Sequence, residues 1–170
     1  PSPSPSTLTI ASVADSSFRL GMSSKYTFLA QSFVSPGTSL TQFKIALTKQ
    51  KSPSYPITVA IRSSLTGTPL YTTTVNPSQV TSSSLSAPTW IVIVPPSSIA
   101  LNLGSIYYLT MSVSATDNQN YYRWPVSSLN PYQDGQLYLM STAYPAYDAL
   151  AQLIFTSSTS LTKIIAPIVL

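Results

Sequence analysis

The chain of 170 residues has no cysteine, no histidine and no glutamate, and charged residues make up only 7% of it. An ordinary globular domain carries about 25%. The absence of cysteine excludes a disulfide framework, a thiolate nucleophile and a thiolate zinc site. General acid–base chemistry near neutral pH draws on His, Glu, Asp, Lys, Tyr and Cys, and three of those six are missing. The carboxylates are Asp15, Asp117, Asp134 and Asp148. A two-carboxylate glycosidase would need its pair from these four, and Asp117 could meet Asp134 only if both loops sat at one end of the fold. The expectation is a protein that is not an enzyme and holds no cofactor or metal.

Scarce carboxylates have a second consequence. Acid denaturation largely reflects paired carboxylates that become protonated as pH falls. With no Glu or His, the net charge stays nearly constant from neutral pH down to about pH 4. That suits an acidic exterior, such as that of a hot, acid-loving microbe. The formal charge of +4 is modest, and the basic residues are scattered, with only Lys49 and Lys51 close in sequence. A nucleic-acid protein concentrates them in a stripe, so no nucleic-acid partner is expected. The apolar end "KIIAPIVL" is far short of the ~20 residues of a spanning helix, so no membrane span is expected either.

What the chain does have is hydroxyls and aliphatics: thirty-one serines, twenty threonines and a hydrophobic fraction of 44%. That fraction supports a core, and the hydroxyls can solvate a surface that has few charges. The opening "PSPSPS", residues 1–6, reads as a polyproline-type linker or stalk. From Thr7 the pattern has period two. Phe43, Ile45 and Leu47 alternate with Lys44, Ala46 and Thr48, and Tyr107, Leu109 and Met111 alternate with Tyr108 and Thr110. Such runs are half-buried strands. "WIVIV", Trp90 to Val94, is apolar on both faces and reads as a central or covered strand. Turn-forming stretches such as "TGTP", "PPSS" and "LNPYQDG" separate the runs. About ten strands are expected, in an all-β, two-sheet antiparallel β-sandwich of jelly-roll type over residues 7–157.

The segments "AQSFVSPGTSLTQFKIALTK", "ITVAIRSSLTGTPLYTTTV", "GSIYYLTMSV", "NYYRWPVSS", "YQDGQLYLMST" and "DALAQLIF" follow in an order that resembles the jelly-roll modules of secreted bacterial and archaeal proteins, phage tails and virion surfaces. The resemblance covers about Ala30 to Phe155. In composition the chain is also similar to turret and filament proteins of hyperthermophilic archaea and their viruses. These resemblances imply a structural surface module, extracellular or on a virion, that works in assembly and attachment. Its partners would be other copies or neighbouring structural subunits, with a cell-surface glycan as the alternative. The family implies no shared catalytic set.

The chain departs from that pattern after the closing strand. Residues 158–170 form a Ser/Thr linker and an apolar segment in which Ile164, Ile165, Ile168, Val169 and Leu170 are the candidate assembly contacts. The segment would fold back as a last strand, add to a neighbour's sheet, or lead into a further segment.

The densest chemistry is "NYYRWPVSS". In a strand Tyr122 and Trp124 share one face, and Tyr121 and Arg123 the other. Exposed Tyr and Trp rings stack on sugars, which makes Tyr121, Trp124, Tyr132 and Tyr144 candidate ligand-binding residues. The competing reading places Trp124 and Tyr122 in the core, with Arg123 paired to Asp134 or stacked on a tyrosine. "TDNQN" offers calcium-type oxygens from Asp117, Asn118 and Asn120, but one carboxylate is thin for that ion and a polar hairpin loop is the simpler reading. "SLTK", Ser160 to Lys163, matches a Ser-x-x-Lys pattern without its companion motifs, a chance match in a serine-rich chain.

Overall fold

The computed structural model describes residues 4–157 of the chain. Fourteen strands follow one another there. The first seven are β1 (Pro5–Ala11), β2 (Ser16–Leu20), β3 (Phe28–Val34), β4 (Ser39–Gln50), β5 (Ile57–Arg62), β6 (Pro69–Val75) and β7 (Thr89–Ile93). The rest are β8 (Ile99–Ala100), β9 (Ile106–Ser112), β10 (Tyr121–Ser127), β11 (Leu137–Leu139), β12 (Thr142–Tyr144), β13 (Asp148–Ala149) and β14 (Ala151–Thr156). The helical content is one short 3-10 turn, Pro77–Gln79. Among the described residues no helix is long and apolar enough to cross a membrane.

The strands form two antiparallel sheets, and the fold is an all-β sandwich. One sheet has six strands in the order β12–β11–β3–β9–β5–β6. The other has eight and is organised around β4, whose twelve residues give it two sets of neighbours along one edge. Its first half pairs with β14, which carries β1 on its far side. Its last residues, Thr48 to Gln50, pair with β10, which carries β2 and β13. Leu150 stands at the fork: its carbonyl accepts the Ala46 N–H at 3.1 Å and its N–H donates to the Pro125 carbonyl at 3.0 Å. The opposite edge of β4 pairs with β7 and β8.

Period two fixes which residues meet between the sheets. Leu29 and Phe33 of β3, Leu109 and Met111 of β9, and Val59 and Ile61 of β5 face Phe43, Ile45 and Leu47 of β4, Trp124 of β10, and Leu153 and Phe155 of β14 in one buried cluster. Each such side chain stabilises the fold by about 1.5–3 kcal/mol through burial alone. Bulges shift the alternation at three places, between Thr9 and Ala11, between Ile154 and Phe155, and between Ile61 and Arg62. The third leaves Leu70 of β6 as the extra residue, which is why an aliphatic side chain there is 48% exposed.

Three expectations need correction. Strands number fourteen because short pieces such as β8 and β13 join the longer ones expected from sequence. Pro5 and Ser6, assigned to the linker, belong to β1, opposite Thr156 and Phe155. "WIVIV" is neither central nor covered. β7 pairs with β4 alone among the described residues, and Val92 and Val94 are 55% and 63% exposed.

Candidate functional site

The aromatic stretch opens at the fork of β4 and packs inward. Trp124 has no exposed surface, and its Nε1–H donates to the Leu150 carbonyl at 3.1 Å. Tyr122 is equally buried; its hydroxyl donates to the Tyr55 carbonyl at 2.6 Å and its ring meets Tyr55 edge-on at 5.5 Å. Burial pushes the Tyr122 phenol up to about 12. Tyr121 is 7% exposed on the other face, with the Arg123 guanidinium 5.6 Å above its ring. Arg123 donates to Gln50 Oε1 at 2.7 Å, so its partners are Tyr121 and Gln50 and not Asp134.

The proposed sugar platform is therefore corrected. Trp124 and Tyr121 offer no ring face to a ligand. Tyr132 is half-buried and holds the loop before β11: its hydroxyl accepts the Val34 N–H at 2.9 Å and its own N–H donates to Asp148 Oδ2 at 2.9 Å. Tyr144 packs edge-on to Phe18 at 5.0 Å and against Tyr147 at 6.4 Å. These four residues do not converge on one surface. Their rings went where burial gains most, which period two alone could not reveal.

The Asp117–Asp134 pair also fails to meet. Asp117 follows the end of β9, whereas Asp134 lines a hollow with Ile106 and Tyr108 at the start of that strand. Seven residues at about 3.3 Å each put the two turns roughly 20 Å apart, beyond the 5–9.5 Å a glycosidase pair spans. Both Asp117 oxygens are engaged inside the "TDNQN" turn, by the Gln119 and Asn120 N–H groups and by Asn120 Nδ2. Those bonds hold its carboxyl below the ordinary value.

The surface that distinguishes this sandwich is the side where β6 and β7 end their sheets. Ala46 directs its N–H towards Leu150, so Ala46 opposite Trp90 and Lys44 opposite Val92 are non-hydrogen-bonded pairs of the β4–β7 ladder. The N–H and C=O groups of Trp90 and Val92 thus point away from β4, along an edge with no strand partner among the described residues. Val92 and Val94 flank that edge, Leu70 of β6 is exposed on the same side, and Leu70, Tyr71 and residues 96–100 line an open trough of about 470 Å3. On the outer face Trp90 is half-buried over Ala46 and Leu150, with Lys44 Nζ 5.0 Å from its ring centre. Sequence reading missed this edge. Pro95 and Pro96 end the apolar run, but they lie outside β7 and do not by themselves mark it as an edge. The assembly residues named from sequence, Ile164, Ile165, Ile168, Val169 and Leu170, lie outside the described residues.

No protein-family model matches this chain, and no curated protein matches it.

Proposed function

We propose that this protein is a structural surface module, a jelly-roll-type unit of a virion surface or extracellular filament that works in assembly rather than catalysis. The observation that carries this reading is the free, apolar edge of β7. Exposed, uncharged edge strands are templates for pairing with another chain, and native proteins normally blunt them with charge, proline or a covering loop. Here the backbone groups of Trp90 and Val92 are offered along a strand whose Val92 and Val94 side chains are exposed. The partner that fits is an extended apolar segment of a second copy, and residues 164–170 of the chain supply one with the required composition. Strand addition gives affinity through main-chain hydrogen bonds and specificity through alternate side chains. The shortage of charge and the abundance of Ser and Thr suit a surface that stays hydrated across a wide pH range.

Size-exclusion chromatography with light scattering tests this on three chains: the intact protein, the protein ending at Thr162, and Val92→Lys/Val94→Lys. The intact chain is expected to form oligomers, and either change is expected to leave a folded monomer. A monomeric intact chain, or oligomers that survive both changes, would sink the proposal.

A further inference from the structure

The outer face of the six-stranded sheet carries a second feature, independent of the β7 edge. Alternation places Phe28, Ala30 and Ser32 of β3, Tyr108, Thr110 and Ser112 of β9, and Thr58, Ala60 and Arg62 of β5 on this face. Across one row run Tyr138, Ala30, Thr110 and Ala60. The last three are 0%, 2% and 1% exposed although they face away from the core. Thr110 is covered by the Arg62 side chain of β5.

Arg62 lies over the sheet, its Nε donating to Thr110 Oγ1 at 3.2 Å and its Nη1 to the Gly67 carbonyl, so the connection arches over the face. Leu65 and Thr66 of that arch form one wall of a cleft of about 410 Å3. Phe28, Met140 and Ser141 form the other. Met140 is fixed there by its N–H bond to the Phe28 carbonyl at 2.9 Å and by its left-handed φ of 55°. The volume lies in the range of about 300–1,000 Å3 typical of small-ligand sites.

A second hollow of about 210 Å3 lies further along the same face, lined by Ser32, Tyr108, Tyr138 and the polar turn of residues 133–136. Between the two hollows stand Tyr108 and Tyr138, edge to face with ring centres 5.8 Å apart. Gln136 Nε2 donates to the Tyr138 hydroxyl at 2.6 Å. Burial beside Tyr138 pushes the Tyr108 phenol above its ordinary value.

From this arrangement we infer that the outer face of the six-stranded sheet binds a neutral oligosaccharide, one stretch in each hollow, with the Tyr108–Tyr138 pair between them. Sugars need apolar ring surface for their C–H faces together with groups that both donate and accept hydrogen bonds, and here the tyrosine hydroxyls, Gln133 and Gln136 surround aromatic and aliphatic walls. The lining charges are one Arg62 and one Asp134, which cancel. An anionic ligand such as a phosphate or nucleic acid would find no excess of positive charge. Glycan binding thereby moves away from Tyr121, Trp124, Tyr132 and Tyr144 to two other tyrosines, on the outer face of the six-stranded sheet, and it holds whether or not β7 mediates assembly.

The test uses the full chain with cellohexaose, xylohexaose and an α-linked mannohexaose, and with hexagalacturonate as the acidic control. Binding is measured by isothermal titration, and backbone amide shift changes on the unmodified protein locate it. At least one neutral hexasaccharide is expected to bind in the micromolar to millimolar range, with shifts confined to residues 28–32, 62–66, 106–112 and 133–141. Tyr138→Ala and Tyr108→Ala are each expected to weaken it by about tenfold. Val13→Ala, an exposed side chain between β1 and β2 of the other sheet, should leave it unchanged. Absence of binding by all three neutral sugars at millimolar concentration, a preference for the acidic one, or shifts centred elsewhere would each overturn the inference. The shift map needs no variant, so a misfolded mutant does not shield the proposal.

Discussion

Gln31 joins the two sheets to each other through Asp148. From β3 of the six-stranded sheet its Nε2 donates to Asp148 Oδ1 at 3.0 Å, and its Oε1 accepts the Ala149 N–H at 2.8 Å. Asp148 and Ala149 are β13 of the eight-stranded sheet, and Gln31 and Asp148 are both completely buried. The other carboxylate oxygen takes the Tyr132 N–H, which ties the loop before β11 into the same network. In a low-dielectric interior a satisfied network specifies one sheet-to-sheet alignment, and a broken one is costly.

Asp148→Asn should therefore be destabilising although it is nearly isosteric. The new amide group must point a donor at either Gln31 Nε2 or the Tyr132 N–H. Gln31 cannot turn its own amide over without losing the Ala149 bond. The expected loss is about 1–3 kcal/mol in urea unfolding at neutral pH. A variant as stable as the parent would show that the network adds nothing.

The pH dependence has a definite sign at this residue. Burial raises the Asp148 carboxyl above its ordinary value of 3.8, opposed by the Tyr132 and Gln31 hydrogen bonds. The folded state thus holds this proton more tightly than the unfolded state does. Its contribution to stability grows as pH falls through the raised value and is complete below 3.8. Asp15, held down by Ser128, and Asp117 act oppositely: their contributions are present above 3.8 and fade as pH falls through their lowered values. Both are exposed, so solvent screens them. Unfolding at pH 7, 5 and 3 should show little net change in the parent protein. The gap between it and Asp148→Asn should widen towards pH 3, and a narrowing gap would contradict the assignment.

Trp124→Ala should cost about 3–5 kcal/mol, the range for removing a fully buried large aromatic. Tyr122→Phe keeps the ring and removes the bond to the Tyr55 carbonyl, at a cost of about 1 kcal/mol. Neither change should affect oligosaccharide binding in the fraction that remains folded. Denaturant titration and sugar binding measured side by side would reveal any ligand role for this stretch.

Gly21 has φ +90°, and a Cβ there would overlap the hydroxyl end of Tyr55, with Cε2 at 2.7 Å. Gly104 has φ +80°, with nothing within 4 Å of a Cβ. Gly104→Ala should show backbone strain alone, of order 1 kcal/mol, and Gly21→Ala that strain plus displacement of Tyr55. Equal melting temperatures for the two variants would mean that Tyr55 moves aside freely.

The alternation in "FKIAL", "ITVAIR" and "IYYLTMS" was enough to give strands, and it assigned Tyr108 correctly to the face opposite Tyr107 and Leu109. It also made an all-β sandwich legible, because turn residues separate runs too short for anything else. It could not say that "WIVIV" ends a sheet, since an apolar run looks the same at a centre and at an edge. Nor could it anticipate that Asp148, one of four similar aspartates in sequence, would be the buried one.

The sequence by itself determined the local structure, the residues that share each strand face, and the near absence of titrating groups. Those follow from side-chain period and composition, which are properties of neighbouring residues. Tertiary structure alone decided which face is covered, which edge is free, and which aromatics remain at the surface. Those depend on pairings between residues such as Gln31 and Asp148 that are 117 positions apart. Period two says that Tyr122 and Trp124 travel together, and only the opposing sheet decides that they travel inward.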